Sequence, residues 1–172
     1  MNNNSIYQAA PQYYHYYFDL VHSDHLIQEF EKSLHEMSQL FQKINAVNEN
    51  FSYRENKWTT KQVIRHIIDC ERVFGYRALR FARFDTTVLS SFDENKFMLP
   101  PLHQDENLQS LKAEFEHVRQ STISLFKTMN DDMLDFKGML DEISYTARII
   151  GFMIVGHQLH HAQFIEKNYL NK

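Results

Sequence analysis

Apolar residues recur three or four positions apart along four separate stretches of the chain, and polar or turn-forming residues interrupt them. Over residues 19–44, Leu26, Phe30, Leu34, Met37, Leu40, Phe41 and Ile44 fall on one helical face. Residues 45–57 are polar and break the pattern. A second helix is predicted from Thr59 or Thr60, either able to cap free N–H groups, to about Phe84, with an apolar series of Val63, Ile64, Ile67, Ile68, Val73, Phe74, Ala78, Leu79 and Phe81. A third is predicted over 105–129 and a fourth over 145–169, the latter strongly apolar at its start (ARIIGFMIVG). The segment between the second and third helices, DTTVLSSFDENKFMLPPLH, is long for a compact domain. Such connections cross the bundle, cover a site, or both.

These features predict an all-α fold, a four-helix bundle with long crossover connections, formed as a single domain over residues 1–172. Three prolines and four glycines agree with helices rather than a turn-rich β fold. Residues 1–18 hold Tyr7, Tyr13, Tyr14, Tyr16 and Tyr17 without a clean period and read as an extended arm packed on the bundle, with a partner-binding tail as the alternative.

Charge and composition narrow the function. A formal charge of −4 and a cluster no larger than Arg72, Arg77, Arg80 and Arg83 argue against nucleic-acid binding; the cluster reads as a solvated or ion-paired face. No stretch has the roughly 18 uninterrupted apolar residues a membrane span needs, and the start lacks a signal-peptide pattern. The single cysteine, Cys70, suits a reducing compartment, so the cytoplasm is expected.

Ten histidines are many for 172 residues, and their spacing separates them. His157 and His161 are four apart and converge on one helical face, whereas His160 points elsewhere. His66 lies in an apolar run (VIRHII) and should face inward. Three imidazoles from two facing helices would hold a divalent metal with an open coordination position. The alternative is core histidines bonded to carbonyls. Cys70, one turn beyond His66, reads as a fourth ligand, a reactive thiol or, in preference, a small buried hydrophobe. Asp69 and Glu71 either orient a ligand imidazole or form salt bridges with Arg72, Arg77 or Arg148. Glu114 and His117 form the only Glu-x-x-His pair, too little for a di-metal centre.

The stretch KWTTKQVIRHIIDCERVFGYRALRFARFD resembles the second-helix segment of the DinB-like (DinB/YfiT) superfamily. There a tryptophan precedes the helix and His-x-x-Asp-x-Glu follows. TARIIGFMIVGHQLHHAQFIEKNYL is similar to that family's last helix, with its Gly-His-x-x-His-His pattern, and LSSFDENKF and EFEHVRQSTISLF match in kind. The resemblance implies a four-helix bundle, often a homodimer, with nickel or zinc bound by His66, His157 and His161. Two positions depart from the family pattern: Phe84 replaces a frequent glycine before Asp85, and Ser90-Ser91 replaces Pro-Gly. Characterised relatives include transferases and isomerases that use a low-molecular-weight thiol, so a thiol S-transferase acting on a small-molecule substrate is the first expectation. A metal-dependent hydrolase, with Asp69 or Glu71 as base, is the second. A non-catalytic metal-binding stress-response module is the third.

Overall fold

Thr59 accepts a hydrogen bond from the Gln62 N–H, and the Gln62 side chain accepts one from the Thr59 N–H. This reciprocal capping box satisfies two free donors and starts a long helix at Thr60. Asn107, Asn130 and Thr146 cap three further helices, each side chain accepting one backbone N–H. In the computed structural model, which describes residues 10–99 and 106–170, the helices are α1 (His15–Asp19), α2 (Leu26–Lys43), α3 (Thr60–Ala82), α4 (Glu94–Phe97), α5 (Leu108–Lys127), α6 (Asp131–Asp135) and α7 (Ala147–Ile165). The chain leaves α7 through a π-helical turn, Glu166–Leu170.

The four long helices α2, α3, α5 and α7 form the bundle. The close pairs are α3 with α7 and α5, and α2 with α5 and α7. Helices α2 and α3, consecutive in sequence, therefore sit on a diagonal, as do α5 and α7. Their connections cross the bundle, as the sequence predicts. The first three turns of α7 are buried all round, from Ile149 to Gln158, which explains why that stretch shows no polar face. No helix among the described residues is long and apolar enough to cross a membrane.

Two expectations need correction. The arm is packed on the bundle, but the part described is helical, a 3-10 turn at Gln12–Tyr14 running into α1. The rest of it, residues 1–9, lies outside the described residues, as do Pro100, Pro101 and the expected third-helix start at Asp105. The connection before α7 also holds an antiparallel hairpin, β1 (Gly138–Leu140) and β2 (Ile143–Tyr145). The long connection pairs with it: Leu89 N–H donates to Met139 O at 3.0 Å, and Asp141 N–H to Leu89 O at 2.8 Å. Strands of three residues are too short to leave a period-2 signature.

At the centre, Arg119 of α5 is fully buried and reaches the other three long helices. It donates twice to the Glu71 carboxylate of α3, at 2.8 and 2.9 Å. It also donates to Phe30 O and Ser33 Oγ of α2, and to Gln158 Oε1 of α7 at 3.0 Å. Gln158 in turn donates to Ser33 O at 3.1 Å.

Arg119→Met leaves Glu71 as an uncompensated buried charge and should cost about 3–5 kcal/mol in denaturant unfolding. Two glycines should behave oppositely in thermal melts. A Cβ at Gly156 would come within 2.2 Å of the Tyr17 carbonyl oxygen, so Gly156→Ala should destabilise by about 1–3 kcal/mol. Nothing lies within 4 Å of a Cβ at Gly75, inside α3, so Gly75→Ala should stabilise by roughly 0.5–1 kcal/mol.

Candidate metal centre

His66 lies on the buried side of α3, and His157 and His161 lie one turn apart on α7, the helix packed closely against it. The structure brings all three together. His157 Nε2 is 3.1 Å from His66 Nε2 and 3.1 Å from His161 Nε2. His160 stays out of this group, its ring set edge-on against Tyr16 and Tyr17 at 5.3 and 5.6 Å. The ligand atoms of the three histidines all lie within 4.8 Å of one another.

Burial sets their protonation. It pushes His66 down from 6.5 to about 4, and holds His157 and His161 well below the ordinary imidazole value. The rings are therefore neutral at pH 7, with ring nitrogens turned toward one another. One Nε2 carries at most one proton, so His157 Nε2 cannot donate to both neighbours. Metal–nitrogen bonds of about 2.0–2.1 Å put adjacent ligand nitrogens about 3.0–3.4 Å apart at tetrahedral to octahedral angles. The donor set and its spacing fit a divalent ion.

The neighbouring side chains fall into place differently from the sequence expectation. Cys70 is buried, with its Sγ 3.6 Å from His66 Nδ1, and burial pushes its thiol up to about 12. It stands outside the group that the three histidines form. Glu71 is neither an imidazole orienter nor a partner of Arg72, Arg77 or Arg148: it turns to Arg119. Asp69 stands beside Arg65 and Arg72. Glu114 pairs with Arg65 and Arg72, and His117 is exposed, so they form no metal pair. Arg148 bridges Asp131 and Asp135. The arginine cluster is not one solvated face either. Arg72 and Arg80 are ion-paired and Arg83 is exposed, but Arg77 is buried.

The histidines open onto a cavity of about 840 Å³. Trp58 covers one side of His66, its ring 4.9 Å away, and is tied by its carbonyl to the Tyr169 hydroxyl. Tyr13, Tyr14 and Tyr17 of the arm supply a second side, and the long connection with the hairpin supplies a third. Glu94, at the start of α4, brings a carboxylate whose charge acts on His66, Cys70 and Tyr17. The sequence did not single it out. Within LSSFDENKF, Asp93 and Glu94 have equal claim, and only the folded connection separates them: Asp93 caps α4 and Glu94 lines the cavity.

The departures from the family pattern also find a place. Phe84 ends α3 with φ = 60°, the left-handed conformation that glycine adopts without strain, and its ring packs against Phe136 at 5.3 Å. Ser90 O accepts from Arg77, and Ser91 N–H donates to Asp141 Oδ2 at 3.1 Å.

A bundle with three inward histidines on facing helices is a metal-site architecture. The sequence pattern of the DinB superfamily matches residues 29–165, and the chain belongs to that superfamily. A protein of Oceanobacillus iheyensis that carries the provisional name of metal-dependent hydrolase is 27% identical over 139 residues, 75% of this chain and 76% of its own length. Among solved structures, YfiT from Bacillus subtilis superposes with a TM-score of 0.75 at 18% identity, covering 84% of this chain and 83% of that one. It is described as a probable metal-dependent hydrolase with an unusual four-helix bundle topology. The DinB-like protein YjoA from Bacillus subtilis gives 0.60 at 14% identity, covering 84% and 89%.

The depressed imidazole pKa values carry a pH signature in the metal-free protein. Between pH 6.5 and 4 the unfolded chain binds more protons than the folded one. This stability is therefore fully present above 6.5 and is lost as pH falls through that window. Denaturant midpoints of chelator-treated protein should drop between pH 7 and pH 5, before the carboxylates titrate. His66→Gln should flatten the drop, and an unchanged midpoint would contradict the assignment.

Proposed function

We propose that this protein is a metal-dependent hydrolase of small molecules, with His66, His157 and His161 as ligands to zinc or nickel and Glu94 as the proton acceptor. The observation that carries the reading is the meeting of three neutral imidazoles with the Glu94 carboxylate in a single cavity. The names borne by the Oceanobacillus protein and by YfiT point the same way.

A divalent ion held there would act as a Lewis acid and lower the pKa of a water toward neutrality. The chain supplies the rest. The buried shell around His157 keeps the imidazoles unprotonated and ready to ligate. Glu94 holds a proton acceptor at the cavity face, where it can take a proton from the attacking water and return it to the leaving group. Trp58 packs against His66, and Tyr17 and Phe74 against His157, where their rings take the place of water. A thiol S-transferase is the second reading, favoured by the size of the cavity, which has room for a small thiol and its electrophile together.

Elemental analysis of protein purified without a metal-affinity tag should find about one equivalent of metal, absent from His161→Ala. Hydrolysis of p-nitrophenyl esters should need no thiol and should stop on chelation. Glu94→Gln should keep its metal and lose about 10²–10⁴-fold in kcat. Turnover that appears only on adding a thiol would replace this reading with the second.

A further inference from the structure

Three arginines are buried among the described residues: Arg65, Arg77 and Arg119. Arg65 is held by Glu106 and Glu114, and Arg119 by Glu71. Arg77 is only 6% exposed, yet no carboxylate among the described residues comes within 4.0 Å of it. It has one hydrogen bond to a neutral group, Nη2 to Ser90 O at 3.0 Å, and lies over the rings of Phe74 and Phe92 at 5.9 and 5.3 Å. Those contacts hold the guanidinium in place without neutralising it. A buried charge without a counter-ion is costly, and proteins keep one where a ligand supplies the opposite charge.

Arg77 lines the same cavity as the three histidines and is the only lysine or arginine among the described residues that line it. The Tyr14 and Tyr145 side chains line it as well and act electrostatically on the guanidinium. We propose that Arg77 is the anchor for a carboxylate group of the substrate, so that this cavity takes small carboxylate-bearing molecules whose other end reaches the histidines. The planar fork of arginine suits two-point binding of a carboxylate, and neutral tyrosine hydroxyls can add donors. A dianion such as a phosphate is disfavoured, because Glu94, Asp141 and Glu142 also line the cavity and one guanidinium balances one charge. Asp141 acts on the guanidinium only from beyond ion-pair distance, and its carboxylate accepts the Ser91 N–H.

The proposal rests on the cavity being the substrate site of the hydrolase, and its test is independent of metal. Trp58 is the only tryptophan and lines the cavity, so its fluorescence reports binding directly. In chelator-treated wild type, where no metal can capture a carboxylate, phenylacetate should bind at least about tenfold more tightly than phenylacetamide, a difference of about 1.4 kcal/mol. Arg77→Met should abolish that preference, and Arg77→Lys should keep part of it. Equal binding of acid and amide, no quenching by either, or a preference that survives in Arg77→Met would overturn the proposal. Tighter binding of phenyl phosphate would overturn the carboxylate assignment. The wild-type comparison decides even if Arg77→Met fails to fold. Absence of metal with the acid preference intact would remove the metal reading and leave Arg77's role standing.

Discussion

Arg119 reaches from one long helix into the other three, and it does so where no water can compensate a misplaced group. A buried guanidinium stays satisfied only if Glu71, Ser33 and Gln158 all arrive in register. Apolar packing alone tolerates small slides between helices, whereas this network penalises them. Its partners are sequence neighbours of the site: Glu71 follows Cys70, and Gln158 follows His157. Fixing the first of each pair fixes the phase of α3 and α7, and with it the direction in which His66, His157 and His161 project. Short-range convergence of three imidazoles thus goes with a polar lock on another face of the same two helices.

That lock was hidden in the sequence for a definite reason. Arg119 stands four residues after Phe115, which is four after Leu111, so it occupies the core stripe of its helix; but a charged residue there reads as the stripe's edge until its partners are known. Glu71 suffered the converse error. It flanks Cys70 and lies near His66 in sequence, which suggests service to the metal site, whereas one residue is about 100° of helix and turns it to the far side. The four helices, their crossovers and the three histidines were legible because each is a local periodicity. The hairpin, Glu94 and the isolation of Arg77 depend on where the long connection lies, and no short-range pattern encodes that.

The cavity joins two kinds of surface with different origins. One comes from the bundle, rigid and set by packing between α3 and α7. The other comes from segments laid over it: the arm, the connection with Phe92 and Glu94, and the hairpin with Asp141 and Tyr145. The connection and the hairpin are held to one another by backbone bonds between Leu89, Met139 and Asp141, and the connection is held to the bundle by Arg77, while Tyr14 of the arm meets Tyr145 of the hairpin edge-on. Polar chemistry is divided in the same way. Neutral nitrogen donors come from the bundle, while Glu94 and most of the tyrosines come from the cover.

Gly156 lets the backbone of α1 touch α7 beside His157, where a Cβ would come within 2.2 Å of the Tyr17 carbonyl oxygen. The helix that carries two of the three histidines is therefore seated directly against the segment that carries Tyr13, Tyr14 and Tyr17. A slide of α7 would displace the ring nitrogens and that aromatic wall together. One missing methyl group thus couples the shape of the cavity to the placement of the histidines.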